Sequence, residues 1–509
     1  MQLLTQRFAE AIVGVLSCFD RVQVAGTLQH VGYAQGMSSF LVSQHIRLLD
    51  YPAWAAKLRD ELKANAEQLA RENDLQIEYL LHSEERKEER VQERLKERGE
   101  QLGLVCIFSA LEKGGAFEFH RDPKTHAVGL RYRQVKCLHY YFYLLHPDLG
   151  LCYLRVSTWA PFRLQFYFNM HNWLAIRLAQ EGIAYQQIDN TFVQIADFER
   201  AQALADAFPL PWLHEQLDQL ARLYCPVLRH FPAPYQWSLT QLEYATDIVF
   251  RHQEDLRPLY ETLVHTAIHA VRPADIATFL GRKLHGNYQE EVGNRFNTRL
   301  LGTRIKHQMG PVFIKMYDKL ALILRIETTV NDLTFFKHHR KVEHHDGTWE
   351  IKEAHMKKSL YSLSPLRPLL QAANRRYLEF VSQLTDPTVG LKKVQALAEP
   401  ARHNERTYRG FNLFDAQDLL LFRSIAAGEF TISGFTNAAL RRLLPDRSSS
   451  QLSRLLKRLR LHGLIRKIGH SYKYYLTQLG REVVLMALKL RELVVIPQLA
   501  LSGAADAKS

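Results

Sequence analysis

GPVFIKMYDKLALILRIETTVND, residues 310–332, is the stretch whose reading decides the fold. Apolar residues alternate with polar ones on both sides of a short break, the two-residue period of a pair of half-buried strands. Its polar positions, Lys315, Tyr317, Lys319, Arg325 and Glu327, group on so apolar a hairpin that they form either a stripe of ion pairs within a sheet or a site.

Working outward, residues 275–355 read as a β-rich block. KVEHHDGTWEIKEA adds a hairpin turning at Asp346-Gly347, and SPLRPLLQAANRRYLEFVSQL closes the block as a helix over 364–385. Upstream, residues 198–272 show spacings near 3.6 and are expected to be helical, LTQLEYATDIVFRHQEDL included. Residues 102–197 form an earlier β-rich block. Within it, KCLHYYFYLLHPDLGLCYLRVSTW reads as a hairpin, and PFRLQFYFNMHNWLAIRLAQ as a strand entering a helix near Asn169. Phe162, Phe166 and Phe168 are expected in the core, with Arg163 and Gln165 between them, and QQIDNTFVQIAD is a strand or edge segment. Residues 1–101 read as a separate mixed region that opens on a packed helix and ends in an exposed, charged connecting helix, SEERKEERVQERLKERGEQ. The fold class is therefore α+β, a mixed antiparallel-sheet core over 102–385, followed by a linker over 386–412, a small domain over 413–494 and a tail over 495–509.

The small domain carries the clearest motif. In FTNAALRRLLPDRSSSQLSRLLKRLRLHGLIRKIGHSYKYYLTQLGREV a short helix ends at Pro445. Ser448–Ser450 can cap a second helix striped by Leu452, Leu455, Leu456 and Leu459, Gly463 stops it, and a hairpin and another helix follow. From Thr436 to Tyr475 ten Lys or Arg stand against one Asp. This stretch resembles the winged helix-turn-helix domains of bacterial MarR- and ArsR-type regulators. The resemblance implies a recognition helix that offers Gln451, Ser453, Arg454, Lys457 and Arg458 to DNA, and a wing, with Arg466, Lys467, Lys473 and Tyr474, that touches phosphate.

The opening stretch has a resemblance of its own. Gly302-Thr303-Arg304, Tyr317-Asp318-Lys319 and Arg325-Ile326-Glu327 are similar to the replication initiation factors of rolling-circle plasmids and filamentous phages. That similarity implies a metal-dependent endonuclease that nicks one strand through a phosphotyrosine link. Glu327 would hold Mg²⁺ or Mn²⁺, and Arg304, Lys306, Lys315 and Arg325 would neutralise phosphate. Tyr317, Asp318 and Lys319 would join the catalytic set, and Tyr377, flanked by Arg375 and Arg376, would be the nucleophile, with Tyr361 as second candidate. The His-rich hairpin, with His338, His339, His344 and His345, is a further candidate metal site. CFDR, KCLHYYFY, FLGRKLHGNY and GTRIKH also resemble a bacterial family associated with mobile elements, to which no activity attaches.

Composition frames these readings. A net charge of +13 and a pI near 9.4 point to a polyanionic partner, DNA first and RNA second. Five scattered cysteines without a Cys-x-x-Cys pair point to a reducing, cytoplasmic setting. No apolar run reaches the length of a membrane span, and neither G-x-G-x-x-G nor a Walker A pattern is present, so no membrane partner and no nucleotide-binding core are expected. The expectation is a nucleic-acid-binding protein of a mobile element that nicks DNA, against two others: a non-enzymatic regulator with a large sensing or assembly region, and a partner of structured RNA.

Overall fold

The computed structural model describes all residues except 1, 82–86, 100, 125, 285–287, 299–302, 345, 383–394, 413, 428–429, 431–433, 470 and 491–509. Gly302, His345, most of the expected linker and the tail lie outside the described residues. Two compact units divide the chain after Gln383.

An eleven-stranded sheet organises the first unit. In chain order its strands are β1 (Ile12–Thr27), β2 (Ile77–Tyr79), β3 (Gly103–Arg121), β4 (Val128–His146), β5 (Gly150–Ser157) and β6 (Leu164–Asn169), then β9 (Gln236–Phe250), β10 (Val292–Thr298), β11 (Thr303–Met309), β12 (Val312–Lys319) and β13 (Ile323–Val330). A small hairpin, β7 (Tyr185–Ile188) and β8 (Thr191–Ile195), comes between β6 and β9. The spatial order is β10-β11-β12-β13-β9-β1-β6-β5-β4-β3-β2, antiparallel except for β2 on β3. Both β-rich blocks thus belong to one sheet, joined through β1 and β9. Residues 1–101 are not a separate region, because β1 lies between β9 and β6. The N-terminal helix is short, Gln2–Arg7, and the apolar run after it is β1.

Gln236–Phe250 is a strand where helical spacing was read, and a bulge explains the misreading. Val22 pairs with Leu242 but Val24 with Leu239, so Thr240 is extra on β9 and two leucines three apart face the same side. Beyond the bulge Asp247 sits among apolar neighbours, a strand buried on both faces.

Helices cover one face of the sheet. Helix Leu363–Ser382 buries Leu366, Leu370, Ala373 and Tyr377. Asn374 binds it to the strands: its Nδ2 donates to the carbonyls of Tyr244 and Ile326 (3.1 and 3.2 Å), and its Oδ1 accepts from Thr328 Oγ1 (2.6 Å). Phe162, Phe166 and Phe168 are fully buried core. The opposite face is polar in its middle, where Gln23, Gln165, Tyr167, Gln241 and Lys315 are half-buried. At the far end helix Lys87–Arg98 is exposed over most of its surface, as expected, but sets Val91 against Val105, Tyr141 and Tyr143 and so packs by one face. Beyond the last β4–β5 pair, His139↔Ser157, β3 and β4 continue as a two-stranded ribbon to Arg121↔Val128. Residues 113–136 of that ribbon carry six Lys or Arg against two acidic residues.

In the second unit a hairpin, β16 (Ala401–His403) and β17 (Arg406–Tyr408), is followed by helices Ala416–Ile425, Asn437–Leu443 and Ser449–Leu461, strands β18 (Ile465–Lys467) and β19 (Tyr474–Leu476), and helix Gln478–Leu490. Within the first unit, β14 (Lys337–Glu343) and β15 (Trp349–His355) form a separate exposed hairpin ahead of helix Leu363–Ser382. Ser448 and Gln451 make a capping box at the start of Ser449–Leu461, and Gly463, with φ of 72°, follows its end. Leu397 and Phe411 pack into this unit's core with Phe422, Leu440, Leu456 and Leu459, so the described part of the expected linker, from 395, belongs to the unit. Among the described residues no helix is long and apolar enough to cross a membrane.

Candidate functional site: a carboxylate cluster on the open sheet face

The charged stripe of the opening hairpin lies on the open face. Alternation along β12 and β13 puts Lys315, Tyr317, Lys319, Arg325 and Glu327 on that side. Across the ladder they meet Glu243 and Asp247 of β9. β1 adds Asp20 through a second bulge: Phe19 pairs with Tyr244 and Val22 with Leu242, so Asp20 and Arg21 together oppose Glu243. A bulge re-aims side chains, and this one turns a carboxylate onto the face.

The cluster has a closed half and an open half. In the closed half Arg325 is fully buried. Its Nε and Nη2 donate to Asp247 at 2.6 Å each, Nη1 to Asp20 Oδ2 at 3.0 Å, and Nη2 to the carbonyl of Asn190 at 2.8 Å. The turn of the β7–β8 hairpin covers this half. Thr191 donates to Asp247 (2.8 Å), and Asn190 bonds both Asp20 and Lys319. Asn169 at the end of β6 donates to Asp20 Oδ1 (2.7 Å). Burial opposes ionisation of both aspartates, but His171, Arg325 and Asn190 outweigh it at Asp20, and Arg325 at Asp247, so both lie below the usual carboxylate range. Burial and the charge of Arg325 push Lys319 down to about 8.

In the open half Lys315 Nζ stands between Glu327 Oε1 (2.6 Å) and Glu243 Oε1 (2.8 Å), and the Tyr317 hydroxyl donates to Glu327 Oε2 (2.6 Å). Burial and the charge of Glu327 raise Glu243 in spite of Lys315. Burial and Glu327 likewise lift Tyr317 well above the ordinary phenol. Carboxylate oxygens of Asp20, Glu243 and Glu327 lie within 4.8 Å of one another, the one such group of three among the described residues. Three hard oxygen donors from three rigid strands suit Mg²⁺ or Mn²⁺ by chemistry. Beside it the face continues with exposed Arg21, its guanidinium 5.5 Å from the Tyr167 ring centroid, and with Tyr153 stacked on Tyr167 at 5.2 Å.

Several expected site residues sit elsewhere. Tyr377 does not join Glu327. It projects from the helix on the other face, fully buried, its hydroxyl 3.0 Å from His307 Nε2 while His307 Nδ1 meets Asn294 Oδ1 at 2.6 Å. Burial drives its phenol far upward, and a nucleophile cannot work through the sheet. Tyr361 also lies on the helical side, bonded to His214 (2.9 Å). Asp318 projects from the face opposite Tyr317 and Lys319. Arg325 is a core ion-pair residue and not a free phosphate ligand. Arg304 and Lys306 do stand on the open side of β11, with Lys306 Nζ 3.6 Å from the Phe313 ring centroid. His338 and His339 alternate across β14, and His344 pairs with Glu350 (3.2 Å). The stretch 292–298 is strand β10, at one edge of the large sheet.

In the second unit Gln451, Arg454, Arg466 and Lys473 are exposed, and Ser453 Oγ accepts from Asn437 (2.9 Å). Lys457 meets His403 (3.2 Å), Lys467 lies near the Tyr472 ring, and Tyr474 packs near Phe435. Arg458, expected at DNA, is buried. It donates to Asp418 at 2.6 and 2.9 Å and stacks 3.8 Å from the Phe411 ring centroid.

Asp20, Glu243 and Asp247 escaped the sequence reading. A lone acid in an apolar strand, as in CFDR and YATDIVF, is the signal that could have found them. No protein-family model, curated protein or solved structure matches the chain.

Proposed function

We propose that the chain is a DNA-binding protein whose open sheet face nicks one strand in a replication-initiator-like or transposase-like reaction. The observation that carries this reading is the convergence of Asp20, Glu243 and Glu327, with the Tyr317 hydroxyl on Glu327, on a half-open face lined by Arg21, Lys306 and Lys315. Asp20, Glu243 and Glu327 would hold a divalent cation, which when bound supplies Lewis-acid polarisation of a phosphodiester. Tyr317 is the hydroxyl placed to attack phosphorus. Its proton passes to Glu327, a Tyr–O–P bond forms, and the bond to the leaving sugar oxygen breaks as that oxygen takes a proton from water. As the cluster stands, burial and the charge of Glu327 hold this proton on, and neutralising that charge removes the second of these two causes.

The second unit supports the DNA partner. Its order of capped helix, hairpin and closing helix, with exposed Arg454, Arg466 and Lys473, supports the winged-helix reading. The basic β3–β4 extension is a two-stranded ribbon, an element that a major groove admits.

The test mixes the full chain with labelled single-stranded and duplex DNA and Mg²⁺ or Mn²⁺ on a denaturing gel. A covalent adduct is expected that is lost in Tyr317→Phe and Glu327→Gln and kept in Tyr377→Phe. Salt-sensitive binding without any cleavage would sink the nicking chemistry and leave a non-enzymatic binder, a reading favoured by Lys315, which already bridges Glu243 and Glu327.

A further inference from the structure

The second unit holds a cavity of about 690 Å³ between the β16–β17 hairpin and helices Ala416–Ile425 and Ser449–Leu461. Its size is that of a small-ligand site. Buried Leu421 and Leu444 contribute apolar floor, and the rest of the lining includes five arginines and one carboxylate, Asp418.

Asp418 is already spent. Arg458 grips both its oxygens, Arg409 reaches Oδ1 at 3.3 Å, and the Asn412 N–H donates to Oδ2 at 3.0 Å. Arg447 donates to the neutral Gln417. Arg406 and Arg454 are exposed and have no carboxylate partner among the described residues. Guanidiniums gathered over an apolar floor present planar forks that match the oxygens of phosphate. A phosphate group accepts from several forks at once, and an attached organic body can lie against the leucines.

We propose that this cavity binds a phosphate group carried on an organic body, with Arg406 and Arg454 as its principal ligands and the Asp418–Arg458 pair as the rigid wall behind them. Two sources share that chemistry, a backbone phosphate of DNA and a small phosphorylated ligand. The site itself does not depend on the DNA reading above.

The probe is inorganic pyrophosphate, titrated calorimetrically into the full chain at low salt. Binding is expected to weaken at least tenfold in Arg406→Ala/Arg454→Ala and to recover in part in Arg406→Lys/Arg454→Lys, which restores charge without the forks. It should be unchanged in Arg460→Ala, which is exposed on helix Ser449–Leu461 outside the lining. Absence of binding, or equal binding by wild type and the double alanine variant, overturns the proposal. Both replaced arginines are exposed, and matching far-ultraviolet dichroism and thermal midpoints check that the variants fold. With the site established, displacement of labelled duplex by saturating pyrophosphate identifies the source as DNA backbone, and duplex that stays bound identifies a small ligand. Pyrophosphate binding by a chain that binds no duplex would uphold the cavity and remove the DNA reading.

Discussion

Arg325 in the first unit and Arg458 in the second do the same job in opposite surroundings. Each is buried and holds an aspartate with two hydrogen bonds, Asp247 and Asp418 respectively. Around Arg325 carboxylates converge: Asp20, Glu243 and Glu327 come together, with Lys315 between the glutamates. Around Arg458 the excess is basic, with Arg406 and Arg454 left over beside a cavity. A buried pair is a weak source of stability, but breaking it by removing one partner is costly. The two anchors therefore differ in what gathers beside them, carboxylates at Arg325 and guanidiniums at Arg458.

The largest effect expected is on stability. Arg325→Met leaves Asp247 and Asp20 buried without their cation and should cost about 3–5 kcal/mol, read as an earlier urea transition of the first unit. Arg458→Met should cost less, because Asp418 keeps Arg409 and the Asn412 N–H. Equal losses would break the contrast between the two anchors.

Next comes cation affinity. Mn²⁺ binding to the full chain, followed by calorimetry, should weaken at least tenfold in Glu243→Gln and be unaffected by Arg406→Ala/Arg454→Ala. Wild-type affinity in Glu243→Gln would show that the carboxylate cluster holds no ion.

Two groups shifted by burial give the first unit a pH dependence of its own. Lys319 falls from its ordinary 10.5 to about 8 in the fold, so between these values the unfolded chain binds more protons. Stability should therefore rise with pH across that window, and Lys319→Met should flatten the rise in a pH series of melting curves. Burial lowers His307 from 6.5 to about 3, so its contribution is lost as pH falls below 6.5 and the loss ends near 3. A first unit equally stable at pH 7 and pH 4 would contradict a neutral, buried His307.

The smallest effect belongs to Tyr377→Phe. It removes the hydroxyl that His307 engages and should cost about 1 kcal/mol, with DNA binding and cleavage unchanged. Any loss of adduct in that variant would return Tyr377 to the chemistry.

Much of this was legible in advance. The strands of the opening hairpin, the β4–β5 hairpin, the strand that ends at Asn169 and the helix over 363–382 follow from alternation or helical spacing in their own residues. The capping box at Ser448 was equally local. The site was half legible: Lys315, Tyr317, Arg325 and Glu327 share a face because they share a period. Their partners were hidden by two bulges. One disguised β9 as a helix, and the other turned Asp20 onto the open face, neither of which leaves a periodic mark.

The sequence alone determined the α+β class, the alternation that gathers the charged stripe on one side of the sheet, and the basic excess over 436–475. These depend on neighbours along the chain, and short-range periodicity records them. Only the tertiary structure decided that Tyr377 and Tyr317 lie on opposite faces, that Arg325 and Arg458 are anchors, and that Asp20 meets Arg325 at 305 residues' separation. Those outcomes depend on which strands become neighbours, and strand pairing is set by the burial of whole faces, which no local window contains.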